Sequence, residues 1–301
     1  MAFVAAAIAL GVSIGVDFSS VLDGPDLFSS VRSVEATNLP EDVRAECLEG
    51  VEDHERPRPG DWLAIWGGEQ PVTRTPEGEK LTHEWPGSAT SANLTIQLAK
   101  LAGLKVAVVV DVAKHGARLS NHRAIRPDLL VDSHDPKRAI SILQANTRGR
   151  LRFGLDTRGK ESAAHLLEAL SAGNPPAKSA RGDGLPPSPP AKSARGDGLP
   201  PSPPHTPDAN ASARAHLIGM TGLPKGPAPE GIQFHAVPIK LFHEAKEVGG
   251  PLAMWLGRLL EEKMILPADI IDIEEGLGGV NKGLHRMRRG EISGGKLVVR
   301  V

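Results

Sequence analysis

Gly67 and Gly68 close a short apolar run, Trp62 to Trp66, and the small residues Ser88, Ala89, Thr90 and Ser91 open a helix-like segment further on. Glycines at a strand end and small residues at a helix start are the parts of an anion site. Backbone N–H groups of the first turn point at the anion, and the helix dipole favours its charge, so a pyrophosphate can sit there. The spacing is unusual, because nineteen residues, Glu69 to Gly87, separate the glycines from the serine turn. The glycine pattern is weak by itself and takes its weight from the strand–turn–helix context. A Rossmann-like unit whose phosphate site is broken fits the same residues.

A second group follows "KVAVVVD" (105–111). An acidic residue at such a strand end binds a ribose 2′-hydroxyl, whereas nearby basic groups suit a 2′-phosphate. Both kinds are present: Asp111, then Lys114, His115 and Arg118. Lys114 is the foremost phosphate candidate. Ordinary solvated charges at a helix start account for these residues equally simply.

Other chemistries lack their parts. Cys47 is the sole cysteine, so a cysteine zinc quartet and an intrachain disulfide are both excluded. There is no tyrosine to act as a proton donor. The eleven histidines form no HExxH pair, and no GxxxxGK[ST] loop is present. His243-Glu244 in "LFHEAKE" reads as structural. No residue qualifies as a general acid, so the catalytic residue is left unassigned. A net charge of -1 gives no reason to expect nucleic acid or an anionic membrane as partner.

The elements that must position these residues alternate. Trp62–Trp66, 105–111, 128–133 and 151–157 read as strands; the second is apolar throughout, as a sheet covered on both faces requires. Leu94, Leu98 and Leu101 share one helical face, ended by Gly103. Ile140 and Leu143 lie on a helix after Pro136, and Ala163, Leu166, Leu167 and Leu170 form another stripe. Strand 214–220, a helix carrying Leu252, Trp255, Leu256, Leu259 and Leu260, the strand-like "IIDI" (270–273), a helix lined by Leu277, Val280, Leu284 and Met287, and "KLVVRV" complete the chain. Strands alternating with helices predict an α/β fold, a Rossmann-type doubly wound parallel sheet.

Two segments fall outside this pattern. "PPAKSARGDGLPPS" occurs twice in succession, at 175–188 and 189–202, and 174–213 reads as a disordered, proline-rich linker. Its RGD triplets are read as coincidence. "MAFVAAAIALGVSIGV" is apolar but has no basic leader and is short for a membrane span, so it reads as a buried helix.

The stretches "DWLAIWGG…SATSANLTIQLAKLAGLKV", "VDSHDPKRAI", "LRFGLDT" and "GLGGVNKGLHRMRRGEISGGKLVVRV" together resemble the medium-chain dehydrogenase/reductase superfamily. Their likeness is to its zinc-free branch, the enoyl-reductase-like proteins that include fungal trans-acting enoyl reductases. The resemblance covers most of 1–173 and 214–301. It implies NADPH as hydride donor, no metal, a small-molecule or thioester-bound enoyl substrate, a polyketide synthase as partner and a cytoplasmic setting. It also implies cofactor contacts at Gly67, Gly68, the Ser88–Ser91 turn, Ile218 and Gly219 near the nicotinamide, and Ile292 and Ser293 before the last strand. Two positions depart from the family: Ser91 stands where glycine is common and Ser133 where tyrosine is. By this resemblance 1–60 is a remnant of the interdomain region, without the family's N-terminal GroES-like domain; 61–173 is the first part of the cofactor domain, with 69–87 looped out; and 214–301 is its remainder. Two alternatives stand beside enoyl reduction: a quinone or alcohol reductase on the same fold, and a non-catalytic nucleotide-binding or interaction protein.

Overall fold

The computed structural model describes residues 1–67, 87–171, 213–289, 291–292 and 295–301. Six strands form one parallel sheet: β1 (Trp62–Trp66), β2 (Lys105–Val110), β3 (Leu129–Asp132), β4 (Leu151–Asp156), β5 (Ala215–Gly219) and β6 (Ile232–Ala236). Their order across the sheet is β3-β2-β1-β4-β5-β6, so the chain winds outward twice from β1. This is the doubly wound parallel sheet expected from the alternation. The insertion at 69–87, apart from Gly87, and the linker at 174–213, apart from Ala213, lie outside the described residues.

Alternation along the strands sends side chains to two cores. Leu63, Ile65, Val106, Val108, Phe153 and Leu155 face one side; Ala64, Trp66, Ala107, Val109, Val131 and Leu217 face the other. The first core is covered by the buried N-terminal helix α1 (Ala2–Ile8), which continues as a π-turn over Ala9–Ser13, by α2 (Leu27–Ser33) and by α3 (Glu41–Glu49). It also receives α4 (Gly87–Leu101) and α5 (Val112–Asn121). The second core lies under α6 (Pro136–Thr147) and α7 (Lys160–Ser171). Local signals set these boundaries. Asp111 and Asp135 cap α5 and α6, each accepting the backbone N–H three residues on, and Pro136 takes the first turn of α6, where its missing donor costs nothing.

After the short α8 (Leu241–Glu244), α9 (Lys246–Glu261) returns to the first core. Its Trp255 is fully buried against Phe3 and Phe18, and its indole N–H donates to the Val21 carbonyl at 2.8 Å. A buried Trp needs such a partner for its one polar atom.

The last unit is separate in pairing. β7 (Ile270–Glu275) and β8 (Lys296–Arg300) form a two-stranded parallel sheet joined through α10 (Gly276–Arg288). The leucine stripe of α10 is not buried: Leu277 is 79% exposed, and Val280, Leu284 and Met287 are exposed as well. The helix turns its glycine face to the sheet instead. A Cβ at Gly283 would lie 2.9 Å from Leu297 Cδ2, and one at Gly279 would lie 2.9 Å from Glu274 Cβ. Helix and strands pack so closely there that only glycine fits, and two strands cannot also cover the apolar stripe. Among the described residues no helix is long and apolar enough to cross a membrane.

Candidate functional site

The strand order reverses between β1 and β4, and open α/β sheets bind ligands outside the carboxyl ends of strands at such a point. Trp66 and Asp156 are register partners there. Gly67 N–H donates to Val109 O at 3.0 Å, and Thr157 N–H donates to Trp66 O at 3.0 Å, so the three strand ends are tied together. Asp156 is fully buried. Its Oδ2 accepts from the N–H groups of Gly159 (2.7 Å) and Arg158 (3.1 Å), while its Oδ1 has no hydrogen-bond partner. Burial outweighs the nearby Ser162 hydroxyl and these two bonds, and pushes the carboxyl pKa up to about 6. The Arg158 Nε is also buried without a partner. At β5, a Cβ on Gly219 would lie 2.7 Å from the Gly222 carbonyl oxygen, so that strand end is closed by its own turn.

A second corner lies at the ends of β2 and β3. Asp111 Oδ1 accepts from Lys114 N–H at 2.9 Å, and its Oδ2 is 3.7 Å from His134 Nε2. Asp132 Oδ1 accepts from Val112 N–H at 3.2 Å and meets His134 Nδ1 at 2.9 Å. The hydrogen bond to Asp132 and the charges of Asp132 and Asp111 raise the His134 pKa. Lys114 and His115 lie on the first turn of α5. Arg118 turns away: its Nε and Nη2 donate to Asp269 Oδ2 at 3.0 and 2.9 Å, which fastens α5 to the segment before β7.

The other sequence candidates are dispersed. Ile218 and Gly219 end β5, and Ile218 is buried in the first core. Thr90 and Ser91 lie in the first turns of α4; Ser91 is buried, and its carbonyl accepts the Thr95 hydroxyl at 2.9 Å. Thr90 shares a small cavity with Asn93, Gln97, Arg118 and Leu266. Ile292 is buried just before β8. Gly68, Ser293 and the side chains of Ser88 and Ala89 lie outside the described residues. Cys47 is buried, and burial followed by the neighbouring Glu46 charge pushes its thiol up to about 12, so it is no nucleophile.

One polar cluster went unread in the sequence. His216 on β5 and His235 on β6 are both fully buried, with Nδ1 and Nε2 2.9 Å apart. His235 Nδ1 meets Glu46 Oε1 at 2.9 Å, and His216 Nε2 stands 3.8 Å from Glu55 Oε2. Arg214 donates to both oxygens of Glu55, at 2.8 and 2.7 Å. Burial raises the Glu55 pKa, but the Arg214 and Glu52 N–H hydrogen bonds outweigh it and hold the carboxyl well below its ordinary range. The alternation 214–216 and 233–235 across neighbouring strands could have flagged it, but only once β5 and β6 were known to pair.

A nicotinamide dinucleotide needs a helix start beside the switch point for its pyrophosphate and an acceptor or cation at the end of β2 for its adenosine ribose. The helix α4 begins at Gly87 after β1, Asp111 stands at the end of β2, and the orphaned Asp156 Oδ1 is a buried acceptor between β1 and β4. These residues fit such a group.

No protein-family model matches the chain, and no curated protein matches it. Among solved structures it is similar to CurK enoyl reductase, at 10% identity and a TM-score of 0.50, over 81% of this chain and 55% of that one. A Bacillus thuringiensis protein described as an NADPH:quinone reductase aligns at 12% identity over 80% of this chain and 56% of that one, with a TM-score of 0.49. A mutant enoyl thioester reductase from Candida tropicalis aligns at 10% identity over 81% and 55%, also at 0.49. The likeness to CurK enoyl reductase carries the Rossmann-like fold. The chain spans about 55% of the length of that protein.

Proposed function

We propose that the chain binds a nicotinamide dinucleotide and serves hydride transfer to an activated alkene, an α,β-unsaturated thioester or ketone. The observation that carries this reading is the reversal of strand order between β1 and β4, with α4 starting after β1 and Asp111 at the end of β2. The similarity to an enoyl reductase supports the choice of alkene. The cofactor, when bound, supplies the hydride. The chain's own part is placement. The first turn of α4 holds the pyrophosphate with backbone N–H groups, Asp111 accepts from the adenosine ribose, and the end of β5 at Ile218 and Gly219 borders the nicotinamide.

The test is calorimetric titration with NADH and NADPH, followed by turnover with a crotonyl thioester and with a quinone. Binding and alkene-dependent cofactor oxidation support the proposal. Quinone turnover alone selects the quinone reductase. Binding without turnover selects a nucleotide-binding or interaction protein, a reading favoured by the apolar residues exposed on β7 and α10. No binding of either cofactor refutes the proposal.

A further inference from the structure

The corner at the ends of β2 and β3 meets a bound dinucleotide at its adenosine ribose, if the nucleotide reading above holds. There NADH and NADPH differ by one group, a 2′-hydroxyl against a 2′-phosphate carrying nearly two negative charges. The residues present are mostly acceptors. Ligating atoms of Asp111, Asp132 and His134 lie within 4.8 Å of one another. Asp111 offers Oδ2 to a hydroxyl while Oδ1 stays on the Lys114 N–H. Asp132 adds a second carboxylate, fixed by Val112 N–H and His134 Nδ1.

The cations do not offset this. Arg118, whose guanidinium would be the natural fork for a phosphate, has Nε and Nη2 committed to Asp269. His134 sits between the two aspartates, so its proton is shared with them before it serves a ligand. Lys114 adds one positive charge, and the charge that a protonated His134 carries is already paired with Asp132 and Asp111. A 2′-phosphate entering here meets like charge at close range, whereas a hydroxyl donates a hydrogen bond to Asp111.

We infer that Asp111 and Asp132, bridged by His134, select the cofactor with a free ribose 2′-hydroxyl, so that the chain prefers NADH to NADPH. This reverses the preference implied by the family resemblance.

The experiment is calorimetric titration of the full chain with NADH and NADPH separately, repeated on Asp111→Asn and Asp132→Asn. Asparagine keeps an oxygen for the Lys114 and Val112 N–H groups, so α5 stays capped; circular dichroism checks that the fold is retained. NADH is expected to bind at least about tenfold more tightly, a difference of about 1.4 kcal/mol. Asp132→Asn should strengthen NADPH binding severalfold, well beyond any change in NADH binding. Asp111→Asn should weaken NADH and strengthen NADPH, closing most of the gap. Adenosine 5′-monophosphate should compete better than its 2′-phosphorylated counterpart. NADPH binding as tightly as NADH or more tightly, or a preference unmoved by both variants, overturns this inference and leaves the nucleotide reading standing. Failure of both cofactors to bind removes the two together.

Discussion

His216 Nδ1 and His235 Nε2 lie 2.9 Å apart in the buried seam between β5 and β6. The contact couples the tautomers, and with both rings neutral the roles follow from Glu46. An ionised Glu46 only accepts, so His235 donates from Nδ1 and presents a bare Nε2. His216 must then donate from Nδ1, which leaves its Nε2 as a lone pair facing Glu55; that atom has no hydrogen-bond partner.

A pH dependence follows. Burial, then the neighbouring His235, pushes the His216 pKa well below 6.5. The unfolded chain binds a proton at His216 that the folded chain resists. The stability this group supports is full above pH 6.5 and drains away as pH falls below it. Unfolding free energy should drop by up to about 1.4 kcal/mol per pH unit from this group. Urea denaturation from pH 7 to 5 measures it. His216→Phe, which keeps a ring against Phe153, should flatten the slope; an unchanged slope would exclude His216 as its source.

Glu55 is almost fully buried, and Arg214 is its main counterion. Arg214→Met leaves a buried carboxylate facing the His216 ring with only two backbone N–H groups, those of Glu52 and of residue 214 itself, to satisfy it. The loss should be about 3 kcal/mol, the range for breaking a buried pair from one side. The double variant with Glu55→Gln should recover part of it. A single variant within about 0.5 kcal/mol of the parent would show that the pair is solvent-screened.

Gly219 closes the end of β5 against its own turn. An alanine there places Cβ 2.7 Å from the Gly222 carbonyl, a backbone atom that cannot swing aside. Gly219→Ala should cost about 1–3 kcal/mol, as overpacking does. Thermal melts of the two proteins decide it, and equal midpoints would mean the turn relaxes freely.

The sheet was legible because strands alternate with helical stripes and because a parallel strand covered on both faces is continuously apolar, as 106–110 is. The place of Asp111, between β2 and the helix it caps, was legible because it follows such a strand. The pairing of Arg118 with Asp269 was not legible, since the partner lies far along the chain and only the fold brings the two together. The α10 stripe has helical spacing, yet spacing does not say which face a sheet will take, and the close glycine packing at Gly279 and Gly283 decided it. Asp156 read as one more residue of the strand 151–157. Its burial and its orphaned oxygen depend on the turn that folds over it.

That oxygen supports the last prediction. The folded-state pKa of Asp156 is raised by burial from 3.8 to about 6. Between those values the folded chain holds a proton that the unfolded chain has released, so stability falls as pH rises through this window. Above pH 6 the fold carries a buried carboxylate with one oxygen unsatisfied. Asp156→Asn removes the charge while its amide oxygen still accepts from Gly159 N–H and Arg158 N–H. The variant should be more stable than the parent by about 1–3 kcal/mol at pH 8, from a shift of about two pKa units. The difference should shrink towards pH 4, where the parent carboxyl is protonated in the fold. Paired urea titrations at pH 8, 6 and 4 follow the change. A variant less stable at every pH would mean that the carboxylate is satisfied in solution, and the burial argument for Asp156 would fail.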